Sequence, residues 1–376
     1  MAVLIDLPRW PAHGMLYSHL ISDSNLDELH KFARKLGLPR RRFDLDHYDV
    51  PETLHSAALE LGALAANNRE IVFALKHSAL RVPPAERAAA RSTQRVAYLR
   101  EQWNMLGETF GVASEALGVA GKAPGVGGEA PGVAGEHAFA TAWHDLGEEL
   151  IERWNEPHRS YHDLQHLEDV LLALDHLELV GETIPVETLL AAWFHDAIYL
   201  GSPDDEQHSA QLARDRLSVL NSQTRHQFTG TSARPESPTQ RVHELAQRVH
   251  DLVLTTAPTY GVSKEAPAEA RAESRAESRD ATSAEMLLRD ATSAEMLLRD
   301  ADLAIFAAPE ARYDEYAQAV RSEYAHVPES DFREGRGRIL DLYMSRATIY
   351  QTPAAQRLWE ARARQNLLRE KQKTAR

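Results

Sequence analysis

Two histidines near the middle of the chain have the spacing of a metal-binding pair. In EPHRSYHDLQHLEDVLLALDHL, His162 and His166 are four residues apart and an apolar stripe follows them. If this segment is helical, both imidazoles lie on one face, about one turn apart. Taken alone, the spacing is more typical of surface or capping histidines, so other segments must supply the evidence for a metal.

A second histidine stands next to an aspartate at the end of an apolar run. In ETLLAAWFHDAIYL, His195 and Asp196 follow a strongly apolar helical pattern. A buried carboxylate must be paired or metal-bound, because desolvating it alone costs several kcal/mol. Adjacent helical residues diverge by about 100°, yet both can reach one ion beside the helix end. An aspartate that only caps the next turn would fit the same sequence.

The third segment, RDADLAIF, offers two aspartates. Asp302 shares a helical stripe with Leu298 and Ile305 and should point into the core. Asp300 lies about 200° away around the same helix. Asp302 is therefore the favoured ligand, with Asp300 as the alternative.

The unit RDATSAEMLL occurs twice, in tandem, just before this segment. Ten helical residues turn through about 1000°, so successive copies are out of phase by about 80°. Asp280 and Asp290 are therefore expected to face solvent. We interpret the repeat as an extension of the chain rather than as a solenoid, because two copies cannot bury a hydrophobic core of their own.

Together these segments supply nitrogen and oxygen ligands. Such a set suits a divalent ion such as Mn²⁺, Co²⁺, Ni²⁺, Fe²⁺, Mg²⁺ or Zn²⁺. Metal coordination lowers the pKa of a bound water and makes it a nucleophile at neutral pH. The four candidate ligands are His166, His195, Asp196 and Asp302.

The order H…HD…D on consecutive helices resembles the HD superfamily of metal-dependent phosphohydrolases. The resemblance covers most of residues 140–372, through EPHRSYH, WFHDAIY, DDEQHSAQLA, DADLAIF, EYAHVPESDFREGR and ARQNLLRE. YHDLQHLEDV is also similar to a helix of cyclic-nucleotide phosphodiesterases. The resemblance implies an all-α HD-type bundle, the same four ligands, and His162 as the general acid that protonates the leaving oxygen.

The function that this resemblance implies is hydrolysis of a phosphate ester by metal-activated water. The partner would be a small phosphorylated substrate, with nucleotides among the candidates; the resemblance gives no substrate. One alternative is an HD-fold di-iron oxygenase, which needs more ligands than the sequence places. The other is a non-enzymatic binding or regulatory protein.

Further polar residues are secondary candidates. Glu206 could orient water or contact a second metal, and it could equally be a helix-start carboxylate. Arg159 and Arg336 could neutralise a phosphate, although such arginines are more often structural.

More histidines could supply a second ion, namely His208, His243 and His250. His250 and Asp251 form a second HD dipeptide. We interpret it as part of an ordinary amphipathic helix that does not contribute to the metal site. The resembled family tends to place a histidine shortly after this helix, where the chain reads TTAPTYGV. This departure argues against two metals.

Residues 1–95 are predicted to form a small α/β domain. AVLID predicts a strand, and SNLDELHKFARKLGL predicts a helix capped by Ser24 or Asn25 and ended by Gly37. ETLHSAALELGA and NREIVFALKHSA predict two more helices.

This domain resembles a small bacterial domain of unknown function, through PRWPAHGMLYSHLISD, LGLPRRRFDLDHYDVP and NNREIVFAL. The resemblance implies no known activity. The polar residues could form a second active site or could be turn and cap residues. They are His13, His19, Asp23, Asp46, His47 and Asp49.

The rest of the chain divides by composition. Residues 96–136 predict a helix and a flexible Gly/Ala/Pro-rich linker, and residues 137–376 predict the all-α domain. Disordered inserts are expected near residues 221–240 and 257–280.

The bulk composition is that of a soluble globular protein, with 43% hydrophobic and 26% charged residues. A net charge of −14 argues against general binding to nucleic acid or anionic membrane. KFARKLGLPRRR is the basic exception, which we interpret as a solvated basic helix end and loop rather than as a nucleic-acid patch. Without a bilayer-spanning run or an export signal, a cytoplasmic location is expected. The absence of cysteine excludes disulfides and thiolate metal sites, and the oligomeric state stays open.

Overall fold

The computed structural model describes residues 2–12, 15–38, 42–109, 133–224, 238–257 and 293–374. Most of the predicted linker and of both predicted inserts lies outside these residues. His13, Asp280 and Asp290 lie outside them too, as does the side chain of His243. Within them, the chain folds as a small α/β part followed by an all-helical part, as predicted.

The N-terminal part contains one sheet with the strand order β4-β5-β3-β1-β6, and β2 pairs with β3. The β1–β3, β2–β3, β3–β5 and β4–β5 pairs are antiparallel, whereas β1 and β6 are parallel. The strands are β1 Val3–Ile5, β2 Trp10–Ala12, β3 Met15–Ser22, β4 Phe43–Asp44, β5 His47–Pro51 and β6 Leu64–Ala65.

Three helices pack on this sheet, as the sequence predicted: α1 Leu26–Lys35, α2 Glu52–Glu60 and α3 Asn68–His77. Asn25, rather than Ser24, caps α1, because its side chain accepts a hydrogen bond from the backbone N–H of Glu28. Gly37 follows α1 with φ of +77°, a conformation that glycine adopts without steric cost.

The helical part begins inside the predicted N-terminal domain, because α4 crosses the predicted boundary between residues 95 and 96. The helices are α4 Arg87–Glu108, α5 Val133–Trp154, α6 Leu164–Leu179, α7 Val186–Phe194, α8 Asp205–Thr224 and α9 Pro238–Thr255. After them come α10 at 293–302, a 3₁₀ helix at Leu303–Ala307, α11 Glu310–Glu323, α12 Glu329–Ser345 and α13 Pro353–Thr374.

Helices α4 and α5 pack through a reciprocal tryptophan pair. The Trp103 and Trp143 rings stack with centroids 4.4 Å apart, and each indole Nε1 donates to the other's backbone oxygen, at 2.7 and 3.0 Å. A Cβ on Gly107 or Gly147 would lie 2.6 or 2.3 Å from an indole atom. The close approach of the two helices therefore requires glycine at both positions.

A buried ion pair joins the two parts of the chain. The Arg42 Nε atom donates to the Asp175 carboxylate at 2.7 Å, and both side chains are almost inaccessible. The expected solvated basic segment is therefore wrong at Arg42, because an acidic residue of α6 pairs with it inside the protein. Among the described helices, none combines the length and apolarity needed to cross a membrane.

Candidate metal centre

His166 lies in the first turn of α6. The Asp163 side chain caps this helix by accepting hydrogen bonds from the backbone N–H groups of Gln165 and His166. The helix therefore starts at Leu164, and His162 precedes it. The expectation that both histidines share one helical face is wrong for this reason, although their ring centroids are only 5.6 Å apart.

His195 is the C-terminal cap residue of α7, a helix whose side chains are buried almost throughout. Its Nδ1 atom donates to the Ala192 carbonyl oxygen at 2.9 Å. Because a carbonyl oxygen can only accept, this bond fixes the proton on Nδ1. In the neutral ring, the Nε2 atom then carries a lone pair.

Four side chains converge around the two Nε2 atoms. His166 Nε2 lies 3.2 Å from His195 Nε2 and 3.2 Å from Asp302 Oδ1. Asp196 Oδ2 lies 3.3 Å from His195 Nε2 and 3.7 Å from His166 Nε2. The ligand atoms of His166, His195 and Asp302 all lie within 4.8 Å of one another.

These separations fit a divalent cation. Ligands at about 2.1 Å from one ion, about 90–110° apart, are roughly 3.0–3.4 Å from each other. Three of the five separations between these donor atoms fall in that range. The His166–Asp196 separation of 3.7 Å and the His195–Asp302 separation of 3.8 Å lie outside it. In the metal-free protein a proton on His166 Nε2 can make the contacts to His195 Nε2 and Asp302 Oδ1, and a cation between the same atoms would replace that proton. The residues present therefore fit the predicted metal.

The centre is buried on the histidine side and open on the carboxylate side. The His166 and His195 side chains are each 1% exposed, whereas those of Asp196 and Asp302 are 15% and 26% exposed. Burial favours a higher pKa for Asp302, but the hydrogen bond with His166 and the adjacent histidines bring that pKa below its usual value. A substrate would approach from the carboxylate side.

Glu323 holds His162 beside this opening. The His162 Nδ1 atom donates to Glu323 Oε2 at 2.7 Å, and His162 Nε2 lies 4.0 Å from Asp196 Oδ2. Burial opposes the charge on His162, yet the Glu323 hydrogen bond and the Asp196 charge raise its pKa. The two carboxylates therefore favour the protonated form of His162.

Glu323 is itself fixed by the backbone and by a tyrosine. Its Oε1 atom accepts from the three consecutive N–H groups of residues 160–162, at 2.7 to 3.0 Å. The Tyr199 hydroxyl donates to Oε2, and the Tyr199 ring stacks on His162 with centroids 4.1 Å apart. Despite burial, the hydrogen bond from the His162 side chain, the His162 charge and the backbone N–H groups of Tyr161 and His162 lower the pKa of Glu323 to about 2.

Arg159 lies behind the site rather than in it. Its guanidinium donates to the backbone oxygens of His162, Asp196 and Ala197, at 2.8, 2.7 and 3.1 Å. It also pairs with Glu156 at 3.0 Å. These hydrogen bonds connect the backbone segments that carry His162 and Asp196. Because they occupy the N–H groups of Arg159, they leave no obvious donor for a phosphate.

Glu206 lies in the first turn of α8, and its side chain is partly buried. Burial raises its pKa, and the negative charge of Asp196 adds to that rise. The side chain is thus within the electrostatic field of the centre, as its predicted role requires. Arg336, by contrast, is buried in a two-point ion pair with Glu370, at 2.7 and 2.9 Å.

Asp300 does not face the histidines. Its two carboxylate oxygens accept from the Gln351 N–H, the Thr352 N–H and the Thr352 hydroxyl, each at 2.7 Å. It thereby fastens the start of α13. Of the two aspartates, Asp302 is the one whose oxygen lies against His166.

Neither His208 nor His250 belongs to this cluster of ligand atoms. His208 is exposed on α8. His250 contacts Gln247 and Asp251 on its own helix. Among the described residues, the groups able to hold a metal are His166–His195–Asp302 and His19–His47–Asp49.

Glu323 is the functional residue that the sequence analysis missed. It is 161 positions from His162, and no local spacing links the two. The only available signal was its place at the start of EYAHVPESDFREGR, one of the stretches that carries the HD resemblance.

The N-terminal candidates separate into two groups. Asp23 accepts a hydrogen bond from the Ala2 N–H and so acts as a local cap. His19, His47 and Asp49 bring their ligand atoms within 4.8 Å of one another, with Asp46 bonded to His47.

The comparisons with known proteins concern this N-terminal part. No curated protein and no solved structure matches the chain. A family model described as "Protein of unknown function (DUF4031)" matches residues 3–78, which contain all six strands and α1 to α3. The resemblance of the helical part to HD phosphohydrolases stays a prediction. The N-terminal part, as expected, is similar to a family of unknown function.

Proposed function

We propose that this protein is a metal-dependent phosphohydrolase that hydrolyses a small phosphate ester, with nucleotides among the candidate substrates. The observation that supports the proposal most directly is the 3.2 Å separation of the His166 and His195 Nε2 atoms, with two carboxylates beside them. Two nitrogen and two oxygen donors favour Mn²⁺, Fe²⁺, Co²⁺, Ni²⁺ or Zn²⁺ over Mg²⁺, which prefers oxygen.

The metal ligands would be His166, His195, Asp196 and Asp302. When bound, such an ion supplies charge neutralisation for the phosphoryl group and an acidified water. The buried histidines exclude solvent from one side of the ion, and the carboxylates define the side that substrate approaches.

His162 acts as the general acid. The water oxygen forms the new bond to phosphorus, the ester P–O bond breaks, and the proton on His162 Nε2 passes to the leaving oxygen. Glu323 holds the ring through Nδ1 and maintains its charge. Glu206, with its raised pKa, is the carboxylate assigned to orient the water and take the proton that it loses.

The test uses the full-length chain, stripped with a chelator and reloaded with each metal in turn. Phosphate release is measured on a panel of phosphomonoesters and nucleotides, beside the metal content. We expect Asp196→Ala to lose activity together with the metal bound at the helical site, and the exposed control His208→Ala to keep both. An Asp196→Ala variant that keeps the wild-type metal content and activity contradicts the proposal.

The same samples separate the two alternatives. A di-iron oxygenase would consume dioxygen with iron bound and release no phosphate. A binding or regulatory protein would show no metal-dependent turnover of any substrate. Either pattern would replace the proposed function.

A further inference from the structure

The N-terminal sheet places a second set of metal-binding side chains on one face. His19 on β3 and Asp49 on β5 are direct antiparallel partners. Side chains of direct partners lie on the same face of a sheet. His47 is two residues before Asp49 on β5, so it shares that face. Two strands therefore bring two imidazoles and one carboxylate together.

Both imidazoles are oriented by buried carboxylates. The His19 Nδ1 atom donates to Asp6 Oδ2 at 2.9 Å, and the His47 Nδ1 atom donates to Asp46 Oδ1 at 2.7 Å. The two aspartates are each 1% exposed. A carboxylate on Nδ1 fixes the tautomer and leaves Nε2 as the ligand atom, which is the usual arrangement behind a metal-binding histidine.

The orienting carboxylates are held in place themselves. Asp6 also accepts from the His19 backbone N–H at 2.6 Å and from the Trp10 indole at 3.3 Å. Asp46 also accepts from the Val82 backbone N–H at 3.3 Å. These contacts make the two His–Asp pairs rigid features of the fold rather than chance surface contacts.

The ligand atoms converge on an accessible point. His47 Nε2 lies 3.6 Å from Asp49 Oδ1, the two imidazole rings meet edge to face at 4.9 Å, and all three ligand atoms lie within 4.8 Å of one another. The Asp49 side chain is 47% exposed, so solvent reaches the point from one side.

We propose that His19, His47 and Asp49 bind a divalent first-row transition-metal ion, with Asp6 and Asp46 as the carboxylates that orient the two histidines. This second metal site does not depend on the function proposed for the helical part. Imidazole ligands favour Zn²⁺, Fe²⁺, Co²⁺ or Ni²⁺ over Mg²⁺ and Ca²⁺. Three protein ligands leave coordination positions open, as in catalytic rather than structural sites.

The charges around the point favour a cation. Asp46 Oδ1 lies 2.7 Å from His47 Nδ1, and Asp49 Oδ1 lies 3.6 Å from His47 Nε2. Their negative charges attract a cation to this point. All five residues lie within the part that matches the family of unknown function.

The test isolates this site in the full-length protein by removing the helical one with His166→Ala and Asp302→Ala. We expect the stripped double variant to bind one equivalent of Co²⁺, with visible absorption and Zn²⁺ competition. Adding His19→Ala or Asp49→Asn should abolish that binding. Asp6→Asn should weaken it by about 10- to 100-fold. His77→Ala, on exposed α3, is the matched control and should change nothing.

A second measurement does not require the helical site to be altered. In the unmodified chain with ¹⁵N-labelled histidine, Zn²⁺ should shift the Nε2 resonances of His19 and His47 and leave that of His77 in place. Circular dichroism establishes that each variant is folded. The inference is overturned if the folded double variant binds no Co²⁺, or if binding survives a combined His19→Ala and His47→Ala substitution.

Discussion

Each imidazole of the helical site is positioned by a different contact. His195 is held by the Ala192 carbonyl and His162 by Glu323. The His166 Nδ1 atom is buried without a hydrogen-bond partner among the described residues, and its ring packs against Tyr161 at 4.6 Å. Packing therefore holds the Nδ1 side of His166, whereas its Nε2 atom contacts His195 and Asp302.

The role of His162 predicts a dependence on the leaving group. His162→Gln should lower turnover of an alkyl phosphate by about 10²- to 10⁴-fold, because the leaving alkoxide needs a proton. Turnover of 4-nitrophenyl phosphate should fall far less, because that leaving group is stable as an anion. Metal content should not change. Equal losses on both substrates would contradict the general-acid role.

The Glu323–His162 pair predicts a pH-dependent contribution to stability. Because the pKa of Glu323 is lowered from 4.5 to about 2, its contribution is present above the ordinary pKa and is lost as pH falls towards the folded value. Because the pKa of His162 is raised, its contribution is present below about 6.5 and is lost at higher pH. The pair should therefore stabilise most between about pH 4.5 and 6.5.

Urea unfolding of wild type and Glu323→Gln measures this effect. The difference in free energy of unfolding should reach at most about 3 kcal/mol near pH 5.5. It should shrink near pH 2.5 and again well above neutrality. A difference that stays constant across this range would show that the pair contributes through packing alone.

The candidate metal ligands were chosen by residue type, because histidine and aspartate in apolar surroundings have few other uses. Asp196 beside Trp193 and Phe194 is such a case. Glu323 could not be predicted, since its role comes from a contact across 161 residues. Arg159 was predicted as a phosphate ligand, but its backbone contacts are visible only in the fold.

At the scale of elements, the candidate ligands lie where helices begin or end. His166 follows the Asp163 cap of α6, His195 ends α7, and Asp302 precedes the 3₁₀ helix. Chain reversals at these points let three separate segments approach one ion. A change at a helix end therefore affects either the metal or the packing, according to which way the side chain points.

Asp300 and Asp302 test this distinction. Asp300→Ala should destabilise the protein by about 2–4 kcal/mol, because it leaves buried donors at 351–352 without their acceptor. Its stoichiometry of metal binding should remain that of wild type under folding conditions. Asp302→Ala should lose metal at the helical site with a much smaller change in the stability of the metal-free protein.

Thermal unfolding of the metal-free variants and metal analysis of the folded ones give the two readouts. The assignment is wrong if Asp300→Ala loses the metal and Asp302→Ala retains it.

Helices were predicted correctly where a capping residue and an apolar stripe indicate the same helix. In α1, Asn25 caps the helix, and Leu29 and Ala33, which are four residues apart on one face, are buried. The prediction that His162 lies on the same helix as His166 was wrong, because apolar periodicity does not reveal that Asp163 caps the helix and that His162 precedes it. The boundary near residue 95 failed similarly, since α4 carries contacts to both parts of the chain.

At the scale of the whole molecule, the two parts are joined by charged contacts of different burial. Arg42 and Asp175 pair in the interior. Arg91 on α4 pairs with Asp44 on β4, near the surface. Burial determines how much each pair contributes to the free energy of unfolding, because water screens the charges of the exposed pair.

This contrast predicts unequal effects of two similar substitutions. Arg42→Ala should lower the free energy of unfolding by about 3–5 kcal/mol, because it leaves a buried carboxylate without its charge partner. Arg91→Ala should lower it by less than about 1 kcal/mol. Chemical denaturation measures both. Equal effects would mean that the buried pair does not join the two parts energetically.

The fold class of both parts followed from the sequence, since alternating strands and helices give way to helices alone. The contact between the parts did not, because Arg42 and Asp175 are 133 residues apart. The His19–His47–Asp49 cluster depends on strand pairing for the same reason. Pairing partners are set by the sheet order, which the local sequence does not encode.

Phosphate release by the full-length protein tests the central claim most directly. The chain is stripped of metal, reloaded with Mn²⁺, and assayed on phosphate esters beside the Asp302→Ala variant. The account predicts turnover only with metal, reduced at least about 100-fold in the variant. Turnover without metal, or equal turnover in Asp302→Ala, would contradict it.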